Sequence, residues 1–299
     1  MIRSASFVLT GLVLAACLGI AAPLPVLAQP RPGVELGPPP AFQPVNAARI
    51  SAAMQVDLLA DVLAAEIAGA GDPFQPDAGP GSGLDEGWAA IVNRIAPPSR
   101  IRNRMREGIA SGVAELRDPA ERAAVAEALG FWESGFGRRV ILLEIGARRA
   151  ISAPDIEATA RDAFAGAAAR NHPRTAQVRA LIEAADLVEP AVAASLNIAL
   201  STLRGAQEAA DNVDPSIIED AWAQEAEIRA DQTGWIEALV FMASAPLSDA
   251  EMAVLIRAAG SPGNRRLSII LNEAASATFA EIARDLGRAS GLRQMGERL

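Results

Sequence analysis

From Leu84 onward, apolar residues recur at spacings of three and four, and no stretch shows a convincing apolar–polar alternation. A period of 3.6 puts such residues on one stripe of a helix, whereas a half-buried strand needs a period of two. The chain is thereby confined to helices packed on helices. Hydrophobic residues make up 51% of it and aromatics only 4%, so the contacts are made by Ala, Leu, Ile and Val, and Ala has the highest helix propensity. Helices are expected over about 85–95, 99–116, 119–132, 137–151, 154–169, 174–186, 190–211, 215–243, 249–259 and 264–289. A further stripe begins near Ala47, with Ile50, Met54, Leu58, Val62 and Ala65 at helical spacing. The Gly- and Pro-rich residues 69–83 end it. The predicted fold is an all-α multi-helix bundle.

Two segments of this pattern are alike. "SGFGRRVILLE", starting at Ser134, and "SPGNRRLSIIL", starting at Ser261, carry Arg pairs 127 residues apart (265 − 138). The same offset aligns Val125, Ala128, Leu129 and Trp132 with Met252, Leu255, Ile256 and Ala259, both sets lying on one helical face. After the Arg pairs, Val140, Leu143 and Ala147 align with Leu267, Ile270 and Ala274. The preceding helices also start alike. Asp118 is a capping acid before Pro119 and Glu121, and Ser248 with Glu251 forms a capping box. Two similar helix–turn–helix hairpins are expected, with Gly135 or Gly137 taking a left-handed conformation at the first bend.

The N-terminus has a different character. Arg3 precedes an uncharged apolar run from Phe7 to Ala22, and Val26 and Ala28 occupy the small-residue positions of a cleavage site. This is the pattern of a secretory signal peptide over 1–28. Residues 29–44 hold six prolines, so 29–46 reads as an extended linker. An all-helical domain follows over 47–299, with 47–186 and 187–299 as candidate halves. An alternative is read at "LAAC": a lipobox in which Cys17 becomes the lipid anchor. Cys17 is the only cysteine, so cleavage after Ala28 leaves no thiol and no disulfide. The resulting localisation is periplasmic or secreted.

The net charge is −9, and all 27 basic residues are Arg, with no Lys. An acidic chain lacking a dense basic patch is poorly suited to phosphate backbones, which excludes nucleic acid as the expected partner. Without Lys there is no Walker loop and no Ser–Lys nucleophile. Its one histidine, His172, cannot build a two-His metal site and reads as a residue between helices. No metal or cofactor is expected.

Residues from about 99 to 290 resemble the bacterial secreted domain-of-unknown-function family 2059. The likeness is carried by Phe131, Trp132, Ser134, Gly137 and Arg138, followed by the helix start Leu247 to Glu251. It implies secretion and a helical fold but carries over no activity. The four letters at Glu133 to Phe136 also resemble the catalytic signature of helical lytic transglycosylases, which cleave cell-wall glycan with one Glu. There the signature precedes a Gly-rich segment lining a cleft. Here a continuous helical pattern follows, and at the offset of 127 Glu133 corresponds to Gly260. Glu133 is therefore read as a solvated residue near a helix end, with a catalytic acid as the alternative.

Arg138, Arg139, Arg265 and Arg266 fall in a first helical turn, where the macrodipole disfavours cations. They are candidates for an anion-binding site, with Trp132 beside them; ion pairs to neighbouring acids are the competing reading. Trp88, Trp132, Trp222 and Trp235 are expected in the core or between helices. The chain reads as an exported, non-catalytic protein that binds a periplasmic protein, peptide or envelope component.

Overall fold

A computed structural model describes residues 44–74, 85–210, 219 and 222–296. The signal peptide, Cys17 and the linker up to residue 43 lie outside these residues. Twelve helices and no strand form among the described residues: α1 (Ala47–Ala53), α2 (Val56–Gly69), α3 (Asp85–Ile95), α4 (Pro98–Glu115), α5 (Pro119–Glu133), α6 (Gly135–Ile151), α7 (Pro154–Ala169), α8 (Pro173–Ala185), α9 (Val188–Ala209), α10 (Glu225–Ser244), α11 (Asp249–Ala259) and α12 (Pro262–Gln294). None is long and apolar enough to cross a membrane. The helix expected over 215–243 is seen from Glu225; most of 211–221 lies outside the described residues.

Helix starts follow local chemistry. Pro occupies an early position of α4, α5, α7, α8 and α12, where its missing N–H costs nothing. Asp118 accepts from the Ala120 N–H, and the Ser248–Glu251 capping box forms with both of its bonds. His172 is not a bare loop residue: its Nδ1 accepts from the Arg174 N–H at 3.2 Å and caps α8.

The long helix α12 is the spine. Its 33 residues span about 50 Å at 1.5 Å per residue, and α9, α4 and α5 pack along it. The approach is backbone to backbone. A Cβ placed on Gly287 would lie 2.0 Å from the Thr202 carbonyl oxygen, and one on Gly205 would lie 1.9 Å from the Arg284 carbonyl. On the α4 side, a Cβ on Gly108 would lie 2.7 Å from the Ala274 Cα. This packing explains why α12 continues to Gln294 instead of ending near 289. Its glycines are buried notches in a helix–helix seam and not terminators.

Both hairpins are present, as α5–α6 and α11–α12. Each bend turns on one extended serine, Ser134 (φ −63°, ψ 162°) and Ser261 (φ −69°, ψ 147°). Ser134 Oγ accepts from the Gly137 N–H at 3.0 Å and donates to the Phe131 carbonyl at 2.6 Å. Ser261 Oγ accepts from the Asn264 N–H at 3.2 Å. The expected left-handed glycine is absent from the first bend, since neither Gly135 nor Gly137 has a positive φ. The serine cap makes the reversal, and Gly137 serves a different need: a Cβ there would sit 2.2 Å from the Phe131 carbonyl. The hairpins touch each other. Trp132 Nε1 donates to Asn264 Oδ1 at 2.8 Å inside the core.

Three further expectations change. The stripe from Ile50 to Ala65 is two helices, because Gln55 adopts a left-handed conformation (φ 51°, ψ 41°) between them. Ile50, Met54 and Val62 of the stripe are buried, but the break adds Val56, Leu59 and Leu63 to the buried face, with Leu58 half-buried and Ala65 exposed. Trp222 is 62% exposed and outside the core, unlike the other three tryptophans. The candidate halves do not own separate cores: one apolar cluster includes Ile50, Ile109 and Leu129 together with Leu239, Leu255 and Phe279.

The seam makes a testable contrast. Gly287→Ala must push two backbones apart and is expected to destabilise by about 1–3 kcal/mol. Gly146→Ala, on an exposed face of α6 with nothing within 4 Å of the added carbon, is expected to stabilise by about 0.5–1 kcal/mol. Urea denaturation of the two variants reads both signs.

Candidate functional site

The short helix α1 lies between α4 and α5. Asn46 caps it, its Oδ1 accepting from the Arg49 N–H at 2.8 Å. Ile50 and Ala53 point into the core. On one flank, Arg49 makes a two-pronged bridge to Glu133 at the end of α5, Nε to Oε1 and Nη2 to Oε2, both at 2.7 Å. The other flank borders an open groove of about 560 Å³, lined by Ala47, Ala48, Ser51, Ala52 and Gln55, and by Asp57 of α2 and Arg106 of α4.

This groove combines a small-residue wall with a few polar groups. Ser51 is 6% exposed, and its hydroxyl has no hydrogen-bond partner. Such an orphaned buried group costs roughly 1–3 kcal/mol. Gln55 marks the lip with its left-handed backbone, held by a bond from its Nε2 to the Ala52 carbonyl at 2.8 Å. Asp57 accepts twice from Arg106 Nη2, at 2.7 and 2.9 Å. Arg102 Nε lies 3.4 Å from the same carboxylate.

Glu133 is not the free solvated residue expected from the sequence. Its side chain is 35% exposed and that of Arg49 only 13%. The hydrogen bonds from Arg49 hold the Glu133 carboxyl below its ordinary range, against the opposing effect of burial, and the charge of Arg138 adds to the lowering. A glycosidase acid needs the opposite shift, because it must keep a proton near neutral pH. The carboxylate acts here as the anchor that seats α1 on α5.

The arginine pairs divide by role. Arg139 Nη1 donates to Glu251 Oε1 at 3.1 Å, and Arg266 Nε lies 2.8 Å from Glu121 Oε1. Each links one hairpin to the first turn of the other. Arg138 donates to the Glu133 carbonyl at 3.0 Å. Arg265 is exposed, with no ion pair among the described residues. Three of the four side chains are therefore held by different partners, and the four do not converge on one anion. Trp132 cannot serve as a binding surface beside them: it is 1% exposed and its indole N–H is committed to Asn264.

No sequence signal had singled out the groove. The available clue was spacing, since Ala47, Ala48, Ser51, Ala52 and Gln55 share one face of small or polar residues. That Arg106 would face them follows only from the packing of α4. Among the described residues, no group of three or more His, Cys, Asp or Glu is placed to hold a metal ion. Comparison with family models, with curated proteins and with solved structures returns no match.

The Arg49–Glu133 bridge sets a pH dependence. A carboxyl whose folded value is depressed contributes stability above its unfolded value and loses it as pH falls through the folded one. Glu133→Gln is expected to destabilise by about 1 kcal/mol at neutral pH, with the size discounted for the partly exposed carboxylate. The gap to wild type should begin to narrow as pH falls through the ordinary glutamate range, about 4.3, and close only as it falls through the depressed folded value. Hydrogen exchange of the α1 amides should quicken in the variant at neutral pH; equal protection at all pH values would remove the anchoring role.

Proposed function

We propose that the mature chain acts outside the cytoplasm as a non-catalytic helical binding protein for a component of the cell envelope. The observation that carries this reading is the open groove beside α1, about 560 Å³, lined by three alanines and Gln55 and rimmed by the Asp57–Arg106 pair. Concave, mostly apolar sites with a few placed polar groups are the usual form of small-ligand sites. The export pattern of residues 1–28 sets the compartment, and the resemblance to family 2059 points the same way. Nucleic acid, metals and cofactors have no part in the proposal.

The test uses residues 29–299. The purified protein is expected to co-sediment with peptidoglycan sacculi, and Glu133→Gln to do so equally, with neither releasing soluble muropeptides. Release by wild type alone would replace this reading with the transglycosylase alternative. Anchoring is tested separately in the expressing cell. The exported protein is expected to begin at Gln29 by mass spectrometry and to stay soluble. A membrane-bound form that becomes soluble on Cys17→Ala would establish the lipoprotein reading instead.

A further inference from the structure

We infer that α1 is an exchangeable arm, and that two copies of this chain pair by each seating its α1 on the other's α4 and α5. This goes beyond the binding reading above and does not depend on it. The first observation is a conflict between local and tertiary preference. No Gly or Pro occurs between Ala47 and Ala68, and Ile50, Met54, Leu58, Val62 and Ala65 keep one helical stripe across the junction. Local propensity therefore favours a single continuous helix. The chain bends instead at Gln55, a non-glycine residue in the left-handed region (φ 51°, ψ 41°).

The second observation is what the bend forgoes. Gln55 gives α2 no side-chain cap. A straight helix would pair the N–H groups of Val56, Asp57 and Leu58 with the carbonyls of Ala52, Ala53 and Met54. None of those bonds forms across the bend, and the left-handed glutamine adds steric strain. The bend persists because α1 is held in its seat. Ile50 and Met54 are almost fully buried, with Val45 and Ala53 beside them. Arg49 adds its two-pronged bridge to Glu133.

The third observation is where the arm is held. Its contacts are made with α4, α5 and α2, and a second copy offers the same three surfaces. Exchange therefore keeps the apolar burial and the Arg49–Glu133 bridge, while Gln55 straightens in both copies and the forgone helical bonds form. A strained hinge between an arm and its seat is the setting that favours such exchange. The α1 wall of each groove then comes from the other copy. Lost translational freedom opposes pairing, so the dimer forms at high protein concentration.

The test incubates residues 29–299 and two hinge variants at up to about 1 mM and reads their mass by analytical ultracentrifugation. The wild-type dimer fraction is expected to rise with concentration. Gln55→Gly accepts the left-handed conformation freely and disfavours a continuous helix, so pairing should weaken about 10-fold or more. Gln55→Ala removes the Nε2 bond to the Ala52 carbonyl and is a better helix former, so pairing should tighten about 5-fold. Monomer throughout, for wild type and Gln55→Ala alike, overturns the inference, and so does a dimer indifferent to both hinge changes.

Opposed charges separate exchange from simple surface pairing. Arg49→Glu and Glu133→Arg each set like charges together when α1 sits on its own chain. In an exchanged pair containing one copy of each variant, both bridges are restored, one of them in reversed sense. Native mass spectrometry of the mixture is expected to show that heterodimer in about 10-fold excess over either homodimer. A heterodimer no more abundant than random pairing gives overturns the exchange. Circular dichroism checks that both charge variants fold; if either does not, the two hinge variants decide the matter alone.

Discussion

The fold depends on how closely α12 can be approached. Three helices meet it with their backbones nearly in contact, and at Gly287, Gly205 and Gly108 there is no room for a single added carbon. Small contacts of this kind trade side-chain volume for proximity, which suits a chain with few aromatics. They also fix register, because a notch accepts a backbone at one position only. The deeply buried side chains, such as Phe279 and Ile270, then fill what remains around the spine. Each contributes about 1.5–3 kcal/mol by leaving water.

Arginine performs the second unifying role. Every basic side chain is Arg, and several are used where a planar fork is worth more than a point charge. Arg148 is 5% exposed, bridges to Glu66 of α2 with two nitrogens, and lies 5.2 Å from the ring centre of Trp235 on α10. Arg293 pairs with the buried Asp72, which also accepts from Ser290, and stacks over Trp88. Buried charges of this kind are costly unless fully partnered, and their value lies in specifying which helices meet. Arg139 and Arg266 do the same between the two hairpins.

The neighbourhood of Glu133 shows how one local string can suggest chemistry that its surroundings redirect. A four-residue likeness names a carboxyl but says nothing of what stands opposite. Here Arg49 stands opposite, 84 positions earlier in the chain, and the carboxylate is held ionised. The same bridge seats α1, and the seated helix supplies a wall of the groove. Glu133 thus bears on the candidate site through position and not through proton transfer.

Helix identity, most helix ends, several capping groups and the existence of two hairpins were legible in the sequence, because 3.6-residue periodicity, prolines and caps act over one or two turns; that serine and not glycine turns the bends was not. The break at Gln55 was not, since a left-handed glutamine has no sequence signature and is tolerated only because the helices on either side of it are packed in place. The glycine spacings at 108–112 and 287–291 were visible, yet their meaning depended on which helix would lie against them. The groove was illegible for the same reason: Ser51 and Arg106 are 55 positions apart (106 − 51), and no local rule joins them. What the sequence by itself determined was the set of helices and their turns. Only the tertiary structure decided which charges pair, which glycines are notches and where a cleft stays open, because those outcomes follow from distances between helices that local propensity does not encode.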